Sequence, residues 1–438
     1  MIGFFRRLIK DRRGNALVIA GAALPLVMGA AGLANDTIQW TLWKRQLQRA
    51  ADSAAIAGVY DRANASGSSN GTLAAVQHDL TLNLHTRMGV LSGYPAVTYP
   101  ADSGAMSDQV QVQLRIQQRL PFSSLFMSAA PTIIATARAA AISSGGNACV
   151  QALETNASKT GITNSGNTTI YMPDCVMYSN SPSSNSAAAG GSSSVTALAI
   201  ATVGGVQQSN NWHVGAYRPY STALTDPFAN VNPVASDMKC AGHLNNQGTW
   251  VADALTEATN MAAARAQDGS VANCWSSLSV GSNKSLTVPA NFGPIYVNGG
   301  SASLQGTFNC TGCAIVLTNK TASSPIGSIT SNAQANTTIV APTTGPFNGI
   351  AIYQDRRAAD CSGCSKLNGG SASTITGAVY FPSSEIWFNG GTSPTATCTM
   401  LVARRVTLTG NSNFKGLSQC INEGLPQSSS ITMIRLVA

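Results

Sequence analysis

Hydrophobic and polar positions divide the chain into three patterns. The first is an unbroken apolar run: from Asn15 to Ala34, no charged residue occurs in 20 positions. A helix rising about 1.5 Å per residue over that length matches the ~30 Å of a bilayer's hydrocarbon core, so a membrane-spanning helix is predicted over 15–35. The second is a helical period. Trp43, Leu47, Ala50, Ala54 and Ala57 recur every three or four residues between Asp36 and Tyr60, while Lys44, Arg45, Gln48 and Asp52 take the other side. No turn residue separates the two runs, which therefore form one helix of about 45 residues. The third is alternation. In "DQVQVQLRIQQRL", Val110, Val112, Leu114 and Ile116 alternate with polar residues as in a half-buried strand, and "PTIIATARAAAIS" is a second strand candidate. A helix over Thr72–Met88 and a flexible joint at "NASGSSNG" complete a small helix-and-sheet subdomain over 36–142.

Beyond Ser143 the pattern changes again. Ser, Thr, Asn, Gly and Ala dominate, interrupted by short continuous apolar runs such as "VTALAIATV", "AIVLT", "GIAIY", "GAVYF" and "TMLVA". Many short strands separated by Asn-Gly and Gly-Gly turns predict an all-β region over 143–438. The block "NGGSAS" occurs twice, at 298–303 and 368–373. That echo, with Asn-rich turns, favours a right-handed parallel β-helix over a sandwich. The expected fold is thus an α+β N-terminal part followed by an all-β region.

Charge refines the topology. Arg6, Arg7, Lys10, Arg12 and Arg13 outweigh Asp11 before the apolar run, so half of the chain's net +8 sits in a basic tail over 1–14. Basic flanks stay in the cytoplasm, which places the remainder outside it. The run exceeds the 7–15 apolar residues of a secretory signal, so a retained membrane anchor is expected rather than a cleaved leader. Asn15, Pro25, Gly32 and Ala34 mark that anchor; proline and small residues are tolerated in membrane helices. The exported part carries 21 basic and 17 acidic residues, thinly spread. It lacks the concentrated basic face of a nucleic-acid binder.

All ten cysteines follow the small sheet: Cys149, Cys175, Cys240, Cys274, Cys310, Cys313, Cys361, Cys364, Cys398 and Cys420. "CTGC" and "CSGC" have zinc-ribbon spacing, but outside the cytoplasm an even count favours disulfides. Local pairing (149–175, 240–274, 310–313, 361–364 and 398–420) is preferred among connectivities that sequence leaves open. His78 and His85 are seven apart, too few ligands for a metal site, and no metal or other cofactor is expected.

One stretch has a family likeness. "DRRGNALVIAGAALPLVMGAAGLANDTIQWTLWKRQLQRAADSAAIAG" resembles the N-terminal segment of the TadE/TadG-like Flp pilus-assembly family. Arg13, Gly14, Asn15, Pro25, Gly32, Leu33, Leu47, Gln48, Ala50, Ala51, Asp52, Ala54 and Ala55 sit at matching places. Where a prepilin cut after Gly14 would carry Glu, this chain has Ile19, so the likeness gives no support for prepilin-type processing. A D-x-S-x-S metal motif, present in some relatives, is missing from this sequence. Further on, "APTTGPFNGIAIYQDR", "ITGAVYFPSSEIWFNGG" and "CTMLVARRVTLTGNS", within roughly 286–420, are similar to motifs that follow the anchor in some members. The resemblance implies a structural or minor-pilin role, with Leu47, Ala50, Ala51, Ala54 and Ala55 as an assembly helix and Tad/Flp components or pilin as partners.

Two other functions bear on the β-rich region. A surface adhesin would use one β-face, with exposed aromatics, to bind a surface glycan. A polysaccharide-degrading enzyme would need two carboxylates roughly 5–10 Å apart. The densest charged spot is "QDRRAAD", with Asp355, Arg356, Arg357 and Asp360, which reads as a salt-bridged loop. His213 and His243 have no acid or nucleophile pattern nearby to make a triad. No catalytic residue is expected.

Overall fold

The structure is a computed structural model that describes residues 14–65, 67–85, 88–143, 146–368, 373–389, 398–413, 420 and 432–437. The basic tail and most of the second "NGGSAS" block lie outside the described residues. The chain forms two compact units, Met1–Ser143 with Ile434–Ala438, and Ser144–Met433.

In the first unit the two predicted helical runs are one helix, α1, Gly14–Asn64, 51 residues with Pro25 inside it. A second helix, α2, covers Thr72–Asn83 and stops a turn earlier than the apolar pattern implies. Leu84 turns extended there, while the Asn83 amide bonds Asp79 and Ser53 instead of continuing the helix surface. Three strands follow: β1 (Ala96–Thr98), β2 (Met106–Gln117) and β3 (Thr132–Ser143). β2 and β3 pair antiparallel, with Val112 opposite Ala137, Leu114 opposite Ala135 and Ile116 opposite Ile133. The C-terminal strand, Thr432–Leu436, joins the sheet beside β3, although its sequence falls within the region expected to be β-helix.

Side-chain size explains how α1 lies on this sheet. Leu47, Ala50, Ala51, Ala54, Ala55 and Val59 are buried with Val110, Val112, Leu114 and Ile116 of β2 and with the small side chains Ala135, Ala137, Ala139 and Ala141 of β3. Alanine on both surfaces permits a close approach. At Gly58 a Cβ would stand 2.9 Å from Val110 and 3.1 Å from Val76 of α2.

The second unit is a large, mostly parallel β region. Three consecutive strands (Gly293–Asn298, Ala302–Leu304, Thr307–Thr311) pair in order with the next three (Cys313–Thr318, Ile329–Ser331, Asn336–Val340). Ile295 lies against Ile315, Ile315 against Ile352 and Val379 against Leu401, so like residues stack from strand to strand. The order of stacking is not the order of the chain. Strand Thr399–Leu408, near the C-terminal end of the unit, pairs with Asn147–Ala152, its first strand, which in turn pairs with Thr169–Ser179. The chain therefore enters the stack in the middle, builds one end, and crosses to the far end to build the rest.

A strap over 222–238 makes that crossing along the outside of the stack. Its carbonyls are tied down in sequence. Thr222 accepts the Tyr178 hydroxyl, and Leu224 accepts the Asn180 amide at 2.8 Å. Thr225 accepts the Gln151 amide at 3.0 Å, Phe228 accepts Arg356 at 2.8 Å, and Val231 accepts the Tyr353 hydroxyl at 2.8 Å. The covered face explains the continuous apolar runs of the sequence. A parallel sheet buried on both faces needs apolar residues in succession rather than in alternation. Accordingly Cys313–Thr318 and Ile350–Gln354 are buried at every position.

Candidate membrane and assembly interface

The long helix changes character along its length. In its first half, Ile19, Leu24, Leu26, Val27, Met28, Leu33 and Ile38 stand exposed, Leu26 at 76% and Val27 at 65%. Leaving so many large apolar side chains in water is unfavourable by ~1.5–3 kcal/mol each relative to burial. Length and composition allow this helix to cross a membrane, and it is consistent with a single-pass anchor. Pro25 and Ala34 lie on this exposed stretch, whereas Gly32 is partly covered by Phe122. Asn15 is helical.

The second half is committed to the unit's own core. Leu47, Ala50, Ala51, Ala54 and Ala55, expected as an assembly face, are at 0–1% exposure beneath the sheet. A partner could reach them only by displacing β2 and β3. The large exposed apolar side chains of the helix all lie N-terminal to Leu47; past it, the sheet-facing side is covered and Arg49 is exposed. Trp40 and Trp43 pack on the edge of the core, and the Lys44 ammonium sits 5.3 Å from the centre of the Trp40 ring. Asp36, buried at 3% exposure, accepts hydrogen bonds from the Phe122 N–H at 3.0 Å and the Ser123 hydroxyl at 2.6 Å.

In the second unit the structure joins Cys149 to Cys175, Cys240 to Cys274, Cys310 to Cys313, Cys361 to Cys364 and Cys398 to Cys420. Cys240 and Cys274 also pair as a parallel β-bridge, with Cα atoms 4.0 Å apart.

The charged spot "QDRRAAD" is divided among three sets of partners. Asp355 is buried and takes Arg357 at 2.7 Å and the Thr318 hydroxyl at 2.7 Å. Burial opposes its ionisation, but the Arg357 side chain and N–H and the Thr318 hydroxyl outweigh it and hold the carboxyl below its usual range. Arg356 reaches the strap, where Asp226 also accepts the Tyr380 hydroxyl at 2.6 Å. Burial, then the bond to Asp226, pushes the Tyr380 hydroxyl far up. Asp360 bonds Arg405, which also binds Glu154 at 2.7 Å. Glu154, at 0% exposure, has no acidic or basic neighbour in sequence to mark it as the centre of this cluster. Its burial is likewise outweighed, by the Asn156 N–H, Arg405 and Arg404, so its carboxyl is held down.

The histidines are dispersed. His78 is exposed on α2, and His85 lies past its end. His213 faces the Ser194 hydroxyl at 3.4 Å. His243 has an acid partner that sequence did not indicate, Asp253 at 2.7 Å, in an exposed pair beside a short hairpin. Among the described residues, no group of three or more His, Cys, Asp or Glu side chains could hold a metal ion. A cleft of about 490 Å³ is lined by Gln207, Gln208, Asn210, Tyr217 and Tyr220.

Residues 14–65 match the family described as "Putative Flp pilus-assembly TadE/G-like". The match covers α1 and ends there, so the motifs of 286–420 are not part of it. What is similar to the Tad pilus-assembly family is thus the N-terminal segment, and the rest of the chain lies outside the match. A solved structure, the competence-associated pilin ComZ from Thermus thermophilus, aligns over 80% of this chain and 88% of its own at 10% identity and a TM-score of 0.17. That score is too low to transfer a fold or a function. The comparison with curated proteins gave no match.

Proposed function

We propose that the protein is a structural component of Tad/Flp pilus assembly, or a minor pilin, held in the bacterial inner membrane by α1. The observation that carries this reading is the helix itself. It matches the TadE/G-like segment, exposes apolar residues over its first half, and buries an alanine-rich face in a small sheet over its second. The basic flank keeps the N-terminus cytoplasmic and the bulk of the chain periplasmic or at the cell surface. The parallel region is then a right-handed parallel β-helix, stapled by the five disulfides, that serves as a rigid body rather than a catalyst. Deleting the gene from its host should abolish Flp-type pili in electron micrographs. The full chain should restore them, and a chain starting at residue 36 should not. Normal piliation in the deletion strain overturns the assignment.

A second reading, a glycan-binding adhesin, rests on the cleft with Tyr217 and Tyr220. Both rings are more than half exposed beside the amides of Gln207, Gln208 and Asn210. Apolar rings flanked by amide donors and acceptors suit a pyranose. Glycan-array binding that disappears in the Tyr217→Ala, Tyr220→Ala double variant would support it; an array without binding would remove it.

A further inference from the structure

The segment "LPFSSLFM", 120–127, lies between β2 and β3 and holds Leu125, Phe126 and Met127 at 74, 76 and 50% exposure. It is fastened to α1 at two points one turn apart. The Phe122 ring fills the space over Gly32, where any Cβ would overlap it. Asp36 accepts the N–H groups of Phe122 and Ser123 and the Ser123 hydroxyl, fixing the short 3-10 turn Ser123–Leu125.

These fastenings set the level of the loop. Asp36 is the first charge after the uncharged run of α1, and Gly32 lies within the run's last turn. On the reading of α1 as the anchor, about 20 residues at 1.5 Å each bring Gly32–Asp36 to the outer limit of the hydrocarbon, where headgroups begin. Trp40 and Trp43, one to two turns further on, occupy the level of an interfacial aromatic belt. Leu33 and Ile38, which flank the two fastening points on the helix, are exposed like the loop tip, and so is Arg119 at the loop's base. We propose that 120–127 is a second membrane-contacting element. It inserts Leu125, Phe126 and Met127 into the outer leaflet face beside α1, as a monotopic wedge fixes depth. The occupant of this surface is lipid. Asp36 acts as a positioning residue whose carboxylate is satisfied by the loop it holds, which removes the penalty of an unpaired charge at the bilayer edge.

The test uses the full chain in phosphatidylethanolamine–phosphatidylglycerol vesicles under non-reducing conditions. A nitroxide is placed in turn at Phe126→Cys, Leu26→Cys and Leu82→Cys, the last an exposed site on α2. Collision with oxygen and with a water-soluble nickel complex is then compared. The wedge predicts an oxygen-to-nickel ratio severalfold higher at 126 than at 82, approaching that at 26. A water-like ratio at 126 with a lipid-like one at 26 overturns the wedge and leaves the anchor standing. Water-like ratios at both overturn the anchor as well. A label at 126 shielded from both colliders means that protein covers the tip, which also overturns the proposal.

Discussion

Replacing Ala54 with proline tests whether the second half of α1 is core or docking surface. Ala54 is fully buried between α1 and the sheet. Proline there removes the bond from its N–H to the carbonyl of residue 50 and drives its ring into that carbonyl, costing ~3 kcal/mol or more. Because the face is packed alanine to alanine, any kink also parts α1 from Ala135, Ala137 and Ala139. Overpacking of such a contact adds ~1–3 kcal/mol. A domain's whole stability is only ~5–15 kcal/mol, so the variant should retain little of the first unit's fold. The β-rich unit has its own core and is independent of this change. Hydrogen exchange read by mass spectrometry should show peptides from 47–59, 106–117 and 132–141 losing protection together, while 293–317 keeps its protection. Loss of protection in the helix alone would refute the reasoning, because it would mean that the sheet stands without α1. The variant should also fail to support pili, through unfolding rather than through loss of an exposed contact.

Other consequences follow from single groups. Val27→Arg puts a charge within the uncharged run at a cost of ~2.5–3.5 kcal/mol for insertion, and should shift the chain from the carbonate-resistant to the soluble fraction. Glu154→Ala leaves Arg404 and Arg405 around a buried vacancy and should cost ~3 kcal/mol in denaturant unfolding, at the low end for a buried pair because Arg405 keeps Asp360. The Glu154 carboxyl is held below its ordinary range in the fold, so its stabilisation is complete above the unfolded value and is lost as pH falls through the folded one. Wild-type stability should therefore drop more steeply below about pH 4.5 than that of Glu154→Gln. Removing Cys240–Cys274, which spans 34 residues, should lower stability by ~4 kcal/mol, against ~2 for Cys361–Cys364, which spans 3. Equal losses in thermal unfolding would contradict the loop-closure account.

The first unit was largely legible because its signals are local. Helical period, strand alternation and an uncharged run each report the environment of neighbouring residues, and β2 alternates as "VQVQLRI" requires. What the pattern could not report was which partner covers the alanine face of α1, since an alanine stripe suits a sheet and a neighbouring helix equally. In the second unit, apolar runs marked strands but concealed the strap. "TALTDPFANVNPVASDM" has no period, because its ordering comes from carbonyls tied to Tyr178, Gln151, Arg356 and Tyr353, side chains 44 to 128 residues away for the first and third of these. The pairing of 147–152 with 399–408 was equally hidden, as nothing in either strand encodes a neighbour some 250 residues distant. Glu154 was missed for the same reason: its arginines come from that distant strand.

That cluster also bears on the enzyme alternative. A glycosidic acid–base pair requires one carboxyl kept protonated near neutrality while its partner stays ionised. Asp355 and Glu154 are both held in the ionised form, each by an arginine and by N–H donors at its own turn. Asp226 is engaged by Arg356 and the Tyr380 hydroxyl, and burial makes that phenol harder still to ionise. Asp355 and Glu154 gain from keeping their charge and have no proton to give. The positions of these groups explain what they do instead. Asp226 fixes the strap to the turn after Ile350–Gln354 and to strand Thr374–Asn389, Asp355 closes that turn, and Glu154 with Arg405 joins the first strand of the unit to the last long one. Each holds together segments that the chain order leaves far apart, which is what a stack entered from its middle needs in order to stay closed.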